Sequence, residues 1–265
     1  MIRIEGRGAV YGEVWFDEDP PATRDVDILL HFQRQAPLGR GRCTPFLSLV
    51  TDLCPAPAAI MEGFGKDCRY KIRRADSRDE LRMEFVAEPQ GRLDEFCRFY
   101  DTFARRKTLP AADRRWLTAA CKAGQLALTL ASRNGEALVW HAYVVSGRTA
   151  RLQYTGSCFR DRENDFRALV GRANRWLHWR DMLCFKERGM QHYDWGGLFE
   201  DESVPEHAGV NGFKKDFGGQ PVRSYDCTVP VTARGRIWMS LRTAWHCRHT
   251  VRELGQSFSR RLFTS

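Results

Sequence analysis

Hydrophobic and polar positions follow one of two periods over most of the chain, so most elements can be assigned from the pattern. Strict alternation predicts strands, and apolar residues at about every 3.6 positions predict helices. The predicted strands are 9–16, 26–32, 46–53, 81–88, 125–132, 137–145, 149–157, 190–195 and 222–229. The predicted helices are 58–75, 93–106, 110–123, 167–188, 210–217 and 236–263.

Glycine-containing turns join three of the strands. The pairs Asn134-Gly135 and Ser146-Gly147 stand between consecutive strand patterns, and such pairs are typical of hairpins. We therefore expect 125–157 to form a three-stranded antiparallel meander.

The chain is expected to have three parts. A smaller mixed part, 1–88, precedes a more regular part, 89–230, and Pro89 to Gly91 is the expected boundary because proline and glycine interrupt regular structure. The last part, 231–265, is predicted to contain a basic amphipathic helix in which six arginines oppose a single acid.

The composition and net charge indicate which class of partner the protein could bind. The chain has 43% hydrophobic residues, which is typical of a folded protein, and a net charge of +9. An excess of positive charge favours polyanions: RNA, an anionic membrane surface or a phosphorylated co-substrate. No apolar run is long enough to span a membrane, and the start lacks the apolar core of a secretory signal.

The nine cysteines lack any Cys-x-x-Cys pair. An odd number of scattered thiols is typical of a reducing cytoplasm, so we expect buried, unpaired cysteines rather than a disulfide framework or a zinc site. We accordingly expect no bound metal and a cytoplasmic protein.

The order of elements from residue 93 onward resembles that of the GNAT acyltransferases: two helices, a meander, a helix and a strand. The resemblance implies an α/β (α+β) fold with a mixed, mostly antiparallel sheet flanked by helices. It also implies that the strands 149–157 and 190–195 splay apart. The helix between them, with Asn164 or Asp165 as its expected N-cap, would then point its N-terminus at a phosphate of the acyl donor.

A second part of the GNAT pattern is incomplete here. Acetyl-CoA users of this fold commonly carry Q/R-x-x-G-x-G/A at the start of that helix, and this chain has Gly171 and Ala173, with Arg167 one place from the expected position. These three residues are candidates for donor binding. Alternatively, the small residues allow close packing of the helix.

Three longer segments resemble the Fem-type aminoacyltransferases. They are TDLCPAPAAIMEGFGKDCRYKIRRA at 51–75, the segment 152–197 ending in YDWGG, and GVNGFKKDFGGQPVRSY at 209–225. The resemblance implies transfer of an acyl group from acyl-CoA or aminoacyl-tRNA, as co-substrate rather than tightly bound cofactor, to an amine of a small-molecule, cell-envelope or polysaccharide precursor. It also implies an abbreviated second GNAT-like half in 1–88.

Four side chains are candidates for the chemistry of acyl transfer. Asp194 precedes Trp-Gly-Gly at a strand end and could act as acid, base or amine-orienting group; its alternative role is to cap a turn. Lys214 could neutralise a donor phosphate or the developing oxyanion. Tyr154 and His141 lie on meander strands, where core packing with a satisfied polar tip is the alternative.

Two basic regions complete the candidates. Arg69, Arg73 and Arg74 could bind donor phosphates or form a solvated helix face. The helix 236–263 could pack on the body, or contact tRNA or an anionic membrane peripherally. A second function therefore stays open: a non-catalytic GNAT-like scaffold that binds RNA or the inner membrane surface.

Overall fold

The computed structural model describes residues 1–249 except 7, 21, 22, 24 and 159–162, with backbone alone over 242–249. The strands are β1 (Ile2–Glu5), β2 (Val10–Trp15), β3 (Ile28–Arg34), β4 (Arg42–Asp52), β5 (Arg82–Phe85), β6 (Leu126–Arg133), β7 (Glu136–Ser146), β8 (Thr149–Ser157), β9 (His192–Gly197) and β10 (Gln220–Pro230). The helices are α1 (Pro57–Glu62), α2 (Lys66–Arg78), α3 (Pro89–Arg106), α4 (Arg114–Lys122), α5 (Asn164–Glu187), α6 (Pro205–Lys215) and α7 (Ala233–His249).

All ten of these strands form a single sheet in the order β1-β2-β3-β10-β4-β9-β8-β7-β6-β5. Only the pairs β2/β3 and β8/β9 are parallel, and the other neighbours are antiparallel. The mixed, mostly antiparallel α/β fold predicted from the sequence is therefore confirmed, including the meander of β6, β7 and β8.

Two apolar cores lie on opposite faces of the sheet. On one face, α2 and α5 pack on each other and α5 packs on β6, β7 and β8, around Trp195, Phe217 and Phe185. On the other face, α3 and α4 cover the meander, with Trp140 and Tyr100 fully buried. Successive side chains along each strand point to opposite faces of the sheet and so belong to different cores. Two candidate site residues can therefore be in contact only if they lie on the same face.

The helix predicted over 58–75 is two helices. It is interrupted at Gly63, Phe64 and Gly65, where the Gly65 N–H donates to the Asp216 carbonyl at 2.8 Å and Phe64 is buried against Phe217, with ring centroids 5.3 Å apart. A tertiary contact with the end of α6 thus breaks a continuous helical pattern.

One boundary expectation stays a prediction and another is wrong. Pro89 and Gly91 lie in the first turn of α3, where proline is well tolerated, so the expected boundary between the parts falls at the start of a helix. The N-cap of α5 is Glu163, and neither Asn164 nor Asp165 caps the helix, since both already lie within it.

The cysteine expectation is also wrong at one pair. Cys43 on β4 and Cys227 on β10 lie directly opposite each other in the antiparallel ladder and form a disulfide across 184 residues of chain. Sequence spacing could not reveal this pair, because their proximity depends on the register of two strands that are distant in sequence.

The division into three parts stays a prediction. The sheet continues across it, since β10 lies between β3 and β4. The helix predicted over 236–263 begins earlier, at Ala233, and its part after residue 249 lies outside the described residues. Trp238 attaches α7 to the body by donating from Nε1 to the Tyr11 hydroxyl at 2.6 Å.

Candidate active site

The parallel strands β8 and β9 separate soon after they begin. They pair only at Thr149–Arg151 with His192–Asp194, although β8 continues to Ser157 and β9 to Gly197. The helix α5 lies between them in the chain. Its first residue, Asn164, lines the same cavity as Ser157, the last residue of β8, so the N-terminus of α5 lies at the wide end of the gap. The splay that the family resemblance implies is present.

A cavity of about 620 Å³ opens at this end of the gap. Its wall combines the end of β8, the first turns of α5 and one residue of α6. Its lining includes Arg167, Gly171, Asn174, Arg175 and Phe213. A second cavity of about 540 Å³ shares Phe166 and Ala168 with the first and is lined by Arg74, Arg133 and Arg172.

The wall of the first cavity favours anions. The N-cap residue Glu163 makes no side-chain capping hydrogen bond, and the first turns of α5, with the positive end of the helix dipole, form part of the cavity wall. Arg167 and Arg175 add positive charge, although Arg175 also pairs with Asp216 at 3.4 Å. An anionic group of a ligand is therefore stabilised at this position.

Lys214 is the most unusual charged residue near the gap. Its side chain is 2% exposed, and its Nζ donates to the Gly197 carbonyl, at the end of β9, across 2.7 Å. Burial first and the positive charge of Arg151 second, against the opposing effect of Asp194, lower the pKa of Lys214 to about 7. A lysine with a pKa near 7 can both hold and release a proton at neutral pH.

Both carboxylate oxygens of Asp194 accept a hydrogen bond. One oxygen accepts the Gly196 N–H at 2.6 Å, and the other accepts from Gln33 Nε2 at 2.6 Å. Gly196 has φ of +75°, which favours glycine, so the first bond fixes a tight turn. Burial raises the pKa of Asp194, against the effect of Arg151. This geometry matches the alternative role of Asp194 as a turn cap. Asp194 is also close enough to Lys214 to raise its pKa, and a catalytic role for Asp194 stays a prediction.

His141 is fully buried within a polar network on the α5 face. Its Nδ1 lies 2.7 Å from Asp181 Oδ2, and its Nε2 lies 2.9 Å from Oδ1 of the cavity residue Asn174. The Tyr143 hydroxyl donates to Asp181 at 2.5 Å and lies 2.8 Å from the Tyr193 hydroxyl. His141 therefore reaches the cavity only through Asn174.

Three of these groups are of the type that binds metals. His141, His178 and Asp181 each bring one ligand atom to within 4.8 Å of the others. The separation of 2.7 Å between His141 Nδ1 and Asp181 Oδ2 is a hydrogen bond, shorter than the roughly 3.4 Å between two ligands of a tetrahedral zinc ion. The cluster is therefore built as a hydrogen-bond network.

Tyr154 does not meet His141. It lies on the other face of the sheet, in the core under α3 and α4, with its ring 5.0 Å from that of Tyr100. Its hydroxyl accepts the Asp113 N–H at 3.3 Å, at the start of α4. These contacts match the alternative expectation for Tyr154, that it packs in the core with its hydroxyl group hydrogen-bonded.

The predicted donor-binding residues separate in space. Arg167 and Gly171 line the first cavity, whereas Ala173 is fully buried in the core and matches the packing alternative. Arg74 lines the second cavity, and Arg73 is exposed beside it in sequence. Arg69 instead donates to the Glu62 and Phe64 carbonyls, where it closes the end of α1.

Sequence reasoning missed four residues of the site: Asn174, Arg175, Asp181 and Arg151. The first three follow Gly171 on α5, and a helical wheel drawn from Gly171 would have placed Asn174 and Arg175 one turn further along the same face. Arg151 is buried on β8, over the Trp15 ring at 5.1 Å, and no sequence signal pointed to it.

A mostly antiparallel sheet with one splayed parallel pair, a connecting helix that starts at the splay and a cavity there defines a GNAT-type acyltransferase fold. The family model of the GNAT acetyltransferase domain matches residues 63–215, which is more than half of the chain. The chain belongs to this family.

Solved structures agree on the fold. FemX matches with a TM-score of 0.56 and 15% identity, over 74% of this chain and 63% of FemX, so the chain spans less than two thirds of that protein. The C-terminal domain of a putative lysylphosphatidylglycerol synthetase from Agrobacterium fabrum matches with a TM-score of 0.51 and 13% identity, over 82% of this chain and 72% of that one. No curated protein matches the sequence.

Proposed function

We propose that this protein is an N-acyltransferase. It moves an acyl group from a phosphate-bearing donor, acyl-CoA or aminoacyl-tRNA, to the amine of a small-molecule, cell-envelope or polysaccharide precursor. The observation that carries the proposal is the cavity of about 620 Å³ at the splay of β8 and β9, which is lined by the first turns of α5 and by Arg167 and Arg175.

The charges around this cavity support a donor with phosphates. Arg167 and Arg175 line it, and the adjoining cavity adds Arg74, Arg133 and Arg172 against one acid, Asp165. Arg172 is already paired with Asp79 at 2.6 Å, so the others carry most of the attraction. An arginine-rich wall around a helix N-terminus binds phosphates through charge-assisted hydrogen bonds.

Lys214 supplies the proton acceptor in this proposal. The amine nitrogen attacks the donor carbonyl carbon, a C–N bond forms, and the C–S or C–O bond to the leaving group breaks. The attacking nitrogen must also lose a proton, and a neutral amine with a pKa of about 7 is well matched to accept it. The Gly197 carbonyl holds Nζ in place, and Phe213, the residue before Lys214, belongs to the cavity wall.

A thermal-shift panel tests the donor. Acetyl-CoA, a longer acyl-CoA, and charged and uncharged tRNA are added to the wild type, since a ligand that binds the native state raises the melting midpoint. We expect one donor class to raise the midpoint of the wild type and not that of Gly171→Leu, whose side chain enters the cavity. No shift with any of these donors would contradict the proposal.

One further observation favours contact with a membrane. Among the described residues, no helix is long and apolar enough to cross a bilayer. Ile237 and Leu241 on α7 are nevertheless 62% and 59% exposed, and their spacing of four places them on one face of the helix. Exposed apolar residues on an arginine-rich helix are typical of interfacial binding to anionic lipid, so we propose that α7 contacts such a surface peripherally.

Liposome sedimentation tests this contact. We expect the double variant Ile237→Ser, Leu241→Ser to bind vesicles of phosphatidylglycerol more weakly than the wild type, with binding that falls as salt rises. Val222→Ser is the matched control, because Val222 is 40% exposed but lies on β10. Equal binding by the wild type and the double variant would exclude α7 as the contact.

A further inference from the structure

Asn174 is a half-buried residue of the cavity wall whose amide is held from behind. Its Oδ1 lies 2.9 Å from His141 Nε2, and the opposite nitrogen of the same ring, Nδ1, lies 2.7 Å from Asp181 Oδ2. Within the part of the chain that the structure describes, Asn174 Nδ2 has no hydrogen-bond partner. The three side chains thus form a line from the core to the cavity, with a free amide at its end.

The donor next to Asn174 follows from the chemistry of the two atoms in contact. Asn174 Oδ1 is an acceptor, so His141 Nε2 carries the hydrogen between them. His141 Nδ1, on the other side of the ring, lies 2.7 Å from Asp181 Oδ2 and 3.1 Å from the Tyr143 hydroxyl. These two contacts fix the plane of the ring.

The groups that face His141 hold its ring in place. His178 stacks on the His141 ring with centroids 4.0 Å apart, and burial lowers the pKa of His178 well below its ordinary value. Burial raises the pKa of Tyr143 and of Tyr193, which keeps both hydroxyls protonated and able to donate hydrogen bonds.

We infer that Asn174 is a specificity-determining residue that offers its amide N–H₂ to an oxygen of the bound acyl donor, and that His141 and Asp181 are positioning residues that fix this end toward the cavity. A neutral His141 that keeps its hydrogen on Nδ1 would present a lone pair to Asn174. The amide would then turn and expose its oxygen, which repels a carbonyl or phosphoryl oxygen. The inference rests on the proposed function for the identity of the ligand.

Nitrogen-15 NMR of the unliganded protein tests the positioning part directly. We expect Nε2 of His141 to carry hydrogen in the wild type. In Asp181→Asn the introduced amide can donate to Nδ1, so we expect the hydrogen to stay on Nε2 and to hold Asn174 in the same orientation. A wild-type ring with its hydrogen on Nδ1 alone would overturn the inference.

Equilibrium binding of acetyl-CoA, with charged tRNA in parallel, tests the specificity part. We expect Asn174→Ala to weaken binding about fivefold, the loss of one ordinary hydrogen bond, and Asn174→Asp to weaken it further because an acceptor replaces the donor. Equal binding by the wild type and Asn174→Ala would overturn this inference alone, whereas a wild type that binds neither donor would overturn the proposed function.

Discussion

Replacing Lys214 by methionine should stabilise the protein, by an amount that depends on pH. Methionine has a similar length and no charge, so it removes the need to bury an ammonium group. The pKa of Lys214 falls from an ordinary 10.5 to about 7 in the folded protein. Between these values the unfolded chain binds more protons than the folded one, and the stability of the wild type therefore rises with pH.

The magnitude follows from that pKa difference. Below pH 7 both states are protonated and the folded state carries the full penalty of about 5 kcal/mol, at roughly 1.4 kcal/mol per pKa unit. At pH 9 about 2 kcal/mol of it remains. Methionine also loses the hydrogen bond to the Gly197 carbonyl, which is worth about 1 kcal/mol at any pH. The gain in free energy of unfolding should thus be about 3 kcal/mol larger at pH 6 than at pH 9.

Urea denaturation of the wild type and Lys214→Met at pH 6 and pH 9 measures this difference. Lys215→Met is the matched control, because Lys215 follows Lys214 directly but is exposed and paired with Glu202 at 2.7 Å. Its effect should change little with pH. A gain from Lys214→Met that is the same at both pH values would refute the reasoning that burial lowers the pKa of this lysine.

Two further perturbations separate the cavity and the disulfide from the rest of the fold. A Cβ added at Gly171 or at Gly212 meets no atom within 4 Å, so both Gly171→Leu and Gly212→Leu should fold. Gly171 lies in the cavity wall, so only Gly171→Leu should lose donor binding in a calorimetric titration. Equal losses in the two variants would contradict the assignment of the cavity. Reduction of the Cys43–Cys227 disulfide should lower the free energy of unfolding by about 2–4 kcal/mol in the wild type and in the control Cys54→Ser, but not in Cys227→Ser. Counting of thiols in the denatured wild type should find two fewer reactive groups before reduction than after it. A full count before reduction would show that the bond is absent.

Local patterns were sufficient for most of the architecture. Alternation and turn residues placed β6, β7 and β8 within one residue of their observed ends, because each side chain's burial repeats with the strand period. The order of elements resembles that of the GNAT family, and this resemblance predicted that β8 and β9 splay apart. The break at Gly63–Gly65 was missed because its cause, the contact with Asp216, lies far along the chain.

The site could be predicted only in part, since its contacts depend on register. Tyr154 and His141 were equivalent candidates in the sequence, and a register shift between Ala142 and Tyr143, where β7 pairs with β8, helps to decide which face each one occupies. His141 meets Asp181 across 40 residues. Lys214 could be singled out from its motif, whereas its burial and lowered pKa depend on how α6 packs over the end of β9.

Formation of an amide product is the measurement that tests the central claim most directly. Wild type, Lys214→Met, Gly171→Leu and the control Gly212→Leu are each incubated with acetyl-CoA or aminoacyl-tRNA and a panel of amines, and N-acylated products are quantified by mass spectrometry. The account predicts product with the wild type and with Gly212→Leu. Lys214→Met should form product at least about 100-fold more slowly, since general base catalysis typically contributes this much. Gly171→Leu should show a comparable loss of rate. Product formed at wild-type rates by Lys214→Met and Gly171→Leu would contradict it.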